Sequence, residues 1–424
     1  MEVRITPSEV HGRVSAPQSK SYTHRAILAA GHAGAGTVCN PLASADTAAT
    51  IRAAELFGAD ITRGDGELTV EAPAEWPLTP PDVVDCGNSG TTFRLMTATA
   101  ALAGGTTVLT GDGSLRTRPQ GQLLQAITEL GGRGTSTRGN GQAPVIVSGP
   151  IRGGSVGMVG ETSQFISALL MAGARTGAGI DMTLPSPPNE EPYIHLTIDL
   201  LDAFGVDAAK TDAGFAVGGG QQYGRDSPYE VPPDFSSMSY LLAAGAVAGE
   251  VTVTGVRPSV QGDQRIVDLL GEMGADVRWD RDAGEITVGR RPLTGIEVDI
   301  ADVPDLLPTI AALGAVADGT TRIRNCGHVR HKETDRVDLM GEALSEMGAV
   351  VSDTPETLVV RGGESSLTGA DLPNTADHRL IMALSVVALA ADGVTTIPDA
   401  EHVDISFPGF FDCLAQLGAR FIQE

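Results

Sequence analysis

A chain of 424 residues is too long for one ordinary hydrophobic core, and a hydrophobic content of 42% points to a globular protein of two domains. Its 53 acidic residues against 29 basic ones give a formal net charge of -24, the balance of a salt-adapted, acidic surface and one that excludes nucleic acid, whose binding needs a basic stripe. Cys39, Cys86, Cys326 and Cys413 have no C-x-x-C spacing, the longest apolar stretches are too short for a bilayer, and no basic-then-apolar leader opens the chain; the expectation is a reducing cytoplasm without metal, disulfide framework or membrane.

Taken in order, residues 1–13 read as a strand and a turn. The first alanine-rich helix opens with Gln18-Ser19-Lys20-Ser21 and carries Arg25; the second opens with Asn88-Ser89-Gly90-Thr91 and carries Arg94, with Arg118-Pro119 beyond it. Later helix starts read Thr162-Ser163-Gln164, Asp234-Phe235-Ser236-Ser237, Asp305 and Asp377-His378-Arg379. Their bodies are Ala, Leu, Val and Met, which predicts buried helices. Interleaved with them, one phrase recurs six times: a helical run ending in an apolar residue, glycine and a small or branched residue. It stands at Phe57-Gly58-Ala59, Leu130-Gly131-Gly132, Phe204-Gly205-Val206, Met273-Gly274-Ala275, Met347-Gly348-Ala349 and Leu417-Gly418-Ala419, about 70 residues apart. Each glycine falls where a helix end calls for positive φ.

Several alanine-rich helices lead through a glycine to a short β-branched strand, as at Thr106-Thr107-Val108, Val251-Thr252-Val253 and Thr320-Thr321. The repeat is therefore α/β, two helices separated by short strands, without the G-x-G-x-x-G of a Rossmann unit. Three repeats fit each domain. The polar, proline-bearing segment 223–233 is the expected linker, and residues 1–13 are assigned to the second domain.

Polar residues gather at the starts of the buried helices. A helix start offers unpaired N–H groups and about half a positive charge, so several starts together attract a multiply anionic ligand. N-capping accounts for the Ser, Thr, Asp and Asn there. It does not ask for Lys20, Arg25, Arg94, Arg118, His378 or Arg379. The run His331-Lys332-Glu333-Thr334-Asp335-Arg336 adds to this, since Lys332 is one of only three lysines, with Lys20 and Lys210. Read as a helix, it sets Lys332 and Arg336 on one face, where two cations repel by a few tenths of a kcal/mol unless an anion lies between them. The plain alternative is a solvated charged face; the chemical reading is a phosphate or carboxylate site with Glu333 as a proton-transfer group.

These motifs, in this order along the whole chain, resemble the 5-enolpyruvylshikimate-3-phosphate (EPSP) synthase family of enolpyruvyl transferases. The resemblance implies two domains, residues 14–227 and residues 1–13 with 228–424, each of three βαβαββ units with buried parallel helices, and an active site in the cleft between them. It implies transfer of the enolpyruvyl (carboxyvinyl) group of phosphoenolpyruvate to the 5-hydroxyl of shikimate 3-phosphate with release of phosphate. This is a step toward chorismate and the aromatic amino acids, run in the cytoplasm by a monomer without metal or cofactor. Carried over position by position, shikimate 3-phosphate falls to Lys20, Ser21, Arg25, Thr162, Ser163, Gln164, Asp305, His328 and Lys332. Phosphoenolpyruvate falls to Lys20, Gly90, Arg118, Gln164, Arg336 and Arg379, with Asn88, Thr91, Arg94 and His378 in support. Asp305 and Glu333 match the family's acid/base pair. Glu333 is expected to protonate and later deprotonate the methylene carbon, Asp305 to take the hydroxyl proton, and Lys20 or Lys332 to assist the departing phosphate.

The chain departs from the family in places. Thr162 stands where serine is usual and keeps a hydroxyl. Glu190 stands where many members have a phosphate-binding serine; its carboxylate repels phosphate, so either the loop 186–193 shifts or that contact is lost. His328 replaces an expected asparagine, and the late lysine of some members near Ser406-Phe407-Pro408 is missing. The nearest rival is the family acting on UDP-N-acetylglucosamine, which places a cysteine before its Arg-Pro; Gly111-Asp112-Gly113-Ser114-Leu115 has none. A non-catalytic anion-binding protein, or a relative of RNA 3'-phosphate cyclase, is the more distant alternative. The acidity, and the lack of a G-x-x-x-x-G-K-[ST] loop, weigh against the latter.

Overall fold

The computed structural model describes residues 1–364 and 366–424. The chain divides into two compact units, Gln18–Pro232 and Met1–Pro17 with Pro233–Glu424. These crossings lie four or five residues beyond those set from the sequence, and each has a local cause. The strand Val10–Ser15 pairs in parallel with Gly249–Thr254 as far as Ser15, which keeps the chain with the second unit up to Pro17. Within the segment expected as a linker, Tyr229–Glu230 forms a two-residue strand parallel to Ala35–Cys39, which keeps it with the first unit up to Pro232.

Each unit repeats one pattern three times, the last sheet of the second unit being reduced to three strands. In the clearest copy Val84–Asp85 lies parallel to Thr106–Thr110, which pairs antiparallel with Val145–Ser148 and that in turn with Arg133–Ser136. The helices Gly90–Ala100 and Gly121–Glu129 complete a βαβαββ unit. The two other sheets of the first unit have the same order, one before it and one after, the earlier taking its first strand from Tyr229–Glu230. In the second unit residues 1–17, of which 1–13 were expected as a single strand and turn, supply strands to two sheets. Val3–Thr6 pairs with Thr395–Ile397 and Arg420–Gln423, and Val10–Ser15 with Gly249–Thr254. A strand's partners are set by long-range register, which a local pattern does not carry.

The helices come in two kinds, as their sequences require. Phe235–Ala248 is buried along its whole length, and at Gly245 an added Cβ would come within 2.5 Å of the Val288 carbonyl oxygen, so the helix lies directly on its sheet. Gly121–Glu129 instead buries only Leu123, Leu124, Ala126 and Ile127. The six repeated glycines follow the outer helices, all at positive φ: Gly58 98°, Gly131 96°, Gly205 75°, Gly274 99°, Gly348 88° and Gly418 99°. The expected helix ends are therefore present at all six positions. Each unit has its own apolar core. Among the described residues no helix is long and apolar enough to cross a membrane.

Candidate active site

In the unit Gln18–Pro232, three buried helices begin with capped ends: Ser19 accepts from Tyr22 N, Ser89 from Thr92 N and Thr162 from Gln164 N. Side chains from these starts are tied to one another. Arg94 donates to Gln164 Oε1 at 2.7 Å while Gln164 Nε2 donates to Thr91 at 3.3 Å, so the second and third helix starts are crosslinked. Arg118 donates to Asn88 Oδ1 at 3.1 Å and to Ser114 at 3.0 Å. A Cβ added at Gly90 would lie 2.7 Å from Arg94 Nη1 and 3.0 Å from Arg118 Nη1, so both guanidiniums converge on this glycine. Lys20 pairs with Asp46 at 2.9 Å, and Thr92 donates to the Asp46 carbonyl at 3.3 Å. Arg25, buried, donates to Thr197 at 2.7 Å, to Ser167 at 3.3 Å and to the Ser21 carbonyl at 2.9 Å; burial pulls its pKa down to about 10.

Glu190 lies against the start of Ser163–Gly173. Its carboxylate is buried and accepts from Thr162 Oγ1 at 3.2 Å, Ser163 N at 3.3 Å and Ser163 Oγ at 2.9 Å. An anion thus sits at the N-terminus of Ser163–Gly173, and it is the protein's own.

In the unit that holds residues 233–424, Arg336 is 1% exposed and meets three carboxylates: Asp377 at 2.8 Å, Asp305 at 3.0 Å and Glu333 at 2.6 Å. Arg379 donates to the other oxygen of Asp305 at 2.5 Å. Burial alone would raise the pKa of Asp305, but Arg379, Arg336 and Lys332 outweigh it and hold the carboxyl below the ordinary range. Asp263 goes the other way: burial first and then the charge of Asp305 push it up, against the hydrogen bond from Ser236 and the charge of Arg379. Asp377 caps the helix His378–Ala388 through Arg379 N, and His378 Nδ1 lies 4.0 Å from its carboxylate.

Two local readings need correction. The run 331–336 is not one helical face. Gly327–His331, which includes His328, is a 3-10 turn ending at Lys332, and the helix Arg336–Glu346 begins only after Asp335, which caps it through Val337 N and Asp338 N. Asp305 does not start its helix either; it lies in the turn Pro304–Leu306 ahead of Leu307–Val316. The sequence reading also missed Asp46 and Asp263, and it took Asp377 as a helix start without pairing it with Arg336. Asp46 carried a usable signal in the capping box formed by Ser44 and Thr47 around it.

Residues 5–414 match the family model described as EPSP synthase (3-phosphoshikimate 1-carboxyvinyltransferase). A 3-phosphoshikimate 1-carboxyvinyltransferase of Halobacterium salinarum is 58% identical over 99% of both chains. One of Halorubrum lacusprofundi is 55% identical over 99% of this chain and 98% of its own. A solved EPSP synthase from Acinetobacter baumannii superimposes with a TM-score of 0.84 at 27% identity, covering 100% of each chain. With the helix-start motifs present and the α/β repeats matching a solved relative along their length, the chain belongs to the EPSP synthase (3-phosphoshikimate 1-carboxyvinyltransferase) family.

Proposed function

We propose that this chain transfers the carboxyvinyl group of phosphoenolpyruvate to the 5-hydroxyl of shikimate 3-phosphate and releases inorganic phosphate. The observation that carries the reading is the meeting of Arg336 and Arg379 on the single carboxylate of Asp305, with Glu333 on the same arginine. Two guanidiniums so placed make a seat for a small carboxylate. The carboxylate of phosphoenolpyruvate replaces Asp305 there. Once it holds both arginines, Asp305 loses the charges that keep its carboxyl down and becomes a base for the hydroxyl proton.

The chemistry then balances on two carboxyl groups. The hydroxyl oxygen bonds to C2 of phosphoenolpyruvate while Glu333 gives a proton to the C3 methylene, which becomes a methyl group. The bond from C2 to the phosphate oxygen breaks, the methyl returns a proton to Glu333, and the enol ether forms. The hydroxyl proton held by Asp305 leaves with the phosphate, whose departure Lys20 and Lys332 assist. Gly90, Arg118 and Gln164, with Asn88, Thr91 and Arg94 behind them, serve phosphoenolpyruvate. Ser21, Arg25, Thr162, Ser163 and His328 serve shikimate 3-phosphate. A cytoplasmic setting accords with four unpaired cysteines.

Phosphate release in concentrated KCl is expected to require both substrates. Glu333→Gln is expected to lose roughly 10²-fold in turnover with the fold intact by circular dichroism. Release with UDP-N-acetylglucosamine in place of shikimate 3-phosphate, or near-parental turnover of the folded Glu333→Gln protein, overturns the reading.

A further inference from the structure

The segment bearing Lys332 and Glu333 lies between a 3-10 turn and a helix, and its backbone contributes little to its own order: Lys332 N reaches the Val329 carbonyl only at 3.4 Å. Fixing each such residue costs backbone entropy, so something must hold the segment if two of its side chains are to be placed for chemistry. Arg330, whose side chain is 16% exposed, has the geometry to do so. Its Nη1 donates to both oxygens of Asp335, at 3.3 and 3.1 Å, and to Asp338. Its Nη2 donates to Asp353 at 2.6 Å and to the Thr354 carbonyl at 2.9 Å, and its Nε to the Pro355 carbonyl at 3.3 Å.

These partners stand on either side of the segment. Asp335 is the cap of the helix that begins with Arg336, and residues 353–355 belong to the hairpin of Val350–Thr354 and Thr357–Gly362. Glu356 of the same hairpin turn accepts from Gly327 N at 3.2 Å, so the segment is tied down at its entry as well. We propose that Arg330 is a positioning residue for enolpyruvyl transfer, clamping the segment of Lys332 and Glu333 between the helix cap Asp335 and the hairpin at 353–355. It rests on the reading above, in which Lys332 and Glu333 serve the reaction, and it acts only through them. A planar fork with donors on three nitrogens makes this clamp; an ammonium supplies the charge but not the fork.

The test uses Arg330→Lys, Arg330→Gln and, on the far side of the clamp, Asp353→Asn, each assayed by phosphate release in KCl with its melting temperature recorded. A displacement of about 1 Å at a reacting group costs as much as 10²-fold, so Arg330→Gln is expected to lose roughly ten- to a hundredfold in kcat. Arg330→Lys is expected to regain the melting temperature but not kcat, and Asp353→Asn to lower kcat severalfold with little change in melting. In both, KM for phosphoenolpyruvate holds while the pH profile of kcat is displaced. Parental kcat and pH profile in folded Arg330→Lys and Asp353→Asn overturn the proposal, and so does a loss in every variant that merely follows the unfolded fraction. A parent protein that releases no phosphate from the two substrates refutes the functional reading instead.

Discussion

Asp263 is buried and Asp305 partly so, and these two carboxyl groups act on each other yet shift in opposite directions. The difference is in their partners, since Asp305 faces Arg379, Arg336 and Lys332, whereas Asp263 has Ser236 and the charge of Arg379 set against Asp305 and Asp234. The two therefore give opposite pH dependences. Ion pairs of Asp305 stabilise the fold above the ordinary carboxylate range, and that stability is lost as pH falls below about 4. For Asp263, raised to about 7, the folded state keeps a proton that the unfolded chain releases. Its contribution is complete below about pH 4 and is lost as pH rises toward its folded value. Asp263→Asn keeps the shape and an acceptor for Ser236 but removes the titration. The expected result is a melting temperature that no longer declines between about pH 4 and 7, with the acid loss intact. An unchanged profile assigns that decline to another group.

Among the elements, the helix ends show what the sequence makes legible. A glycine at positive φ after an amphipathic run is a local requirement, and all six were readable because no distant partner enters it. The starts of the buried helices were readable for the same reason: Ser19, Ser89, Thr162, Asp234 and Asp377 all cap as their residue types predict. What stayed hidden depends on contacts far along the chain. The clamp of Arg330 closes on Asp353, 23 residues away, and the N-terminal strands divide between two sheets. The start of Ser163–Gly173 was half legible: the seat was expected, its occupant Glu190 was not. Glu190 takes a left-handed conformation, φ 61° and ψ 32°, a strained one for a residue with a side chain, and so places its carboxylate on Thr162 and Ser163. A phosphate directed to that helix end must displace it. Glu190→Gln removes the competing charge and weakens the helix end by about 0.3–1 kcal/mol. KM for shikimate 3-phosphate is expected to fall severalfold while the melting temperature drops slightly; an unchanged or higher KM shows that the phosphate is held elsewhere.

At the scale of the whole molecule, a net charge of -24 sets two electrostatic effects against each other when the ligands are themselves anions. Self-repulsion opposes the compact state, and it also keeps phosphorylated substrates away from a chain whose cations, 26 of them arginine and three lysine, are concentrated in part at the helix starts. Salt weakens both the repulsion and the attraction, but over different distances. The Debye length is about 10 Å at 0.1 M and about 3 Å at 1 M, so repulsion between dispersed surface carboxylates is largely removed by concentrated KCl. Buried pairs such as Arg336 with Asp377, at 2.8 Å and almost without solvent, are screened far less. The short contacts that bind substrate therefore survive conditions that silence the long-range repulsion. Raising KCl from about 0.1 M toward the molar range is thus expected to raise the melting temperature and at the same time to lower KM for shikimate 3-phosphate. In an enzyme whose substrate is drawn in by a positive field, KM rises with salt. A melting temperature indifferent to KCl, or a KM that climbs steadily from the lowest salt at which the protein is folded, shows that the acidic surface governs neither stability nor substrate capture.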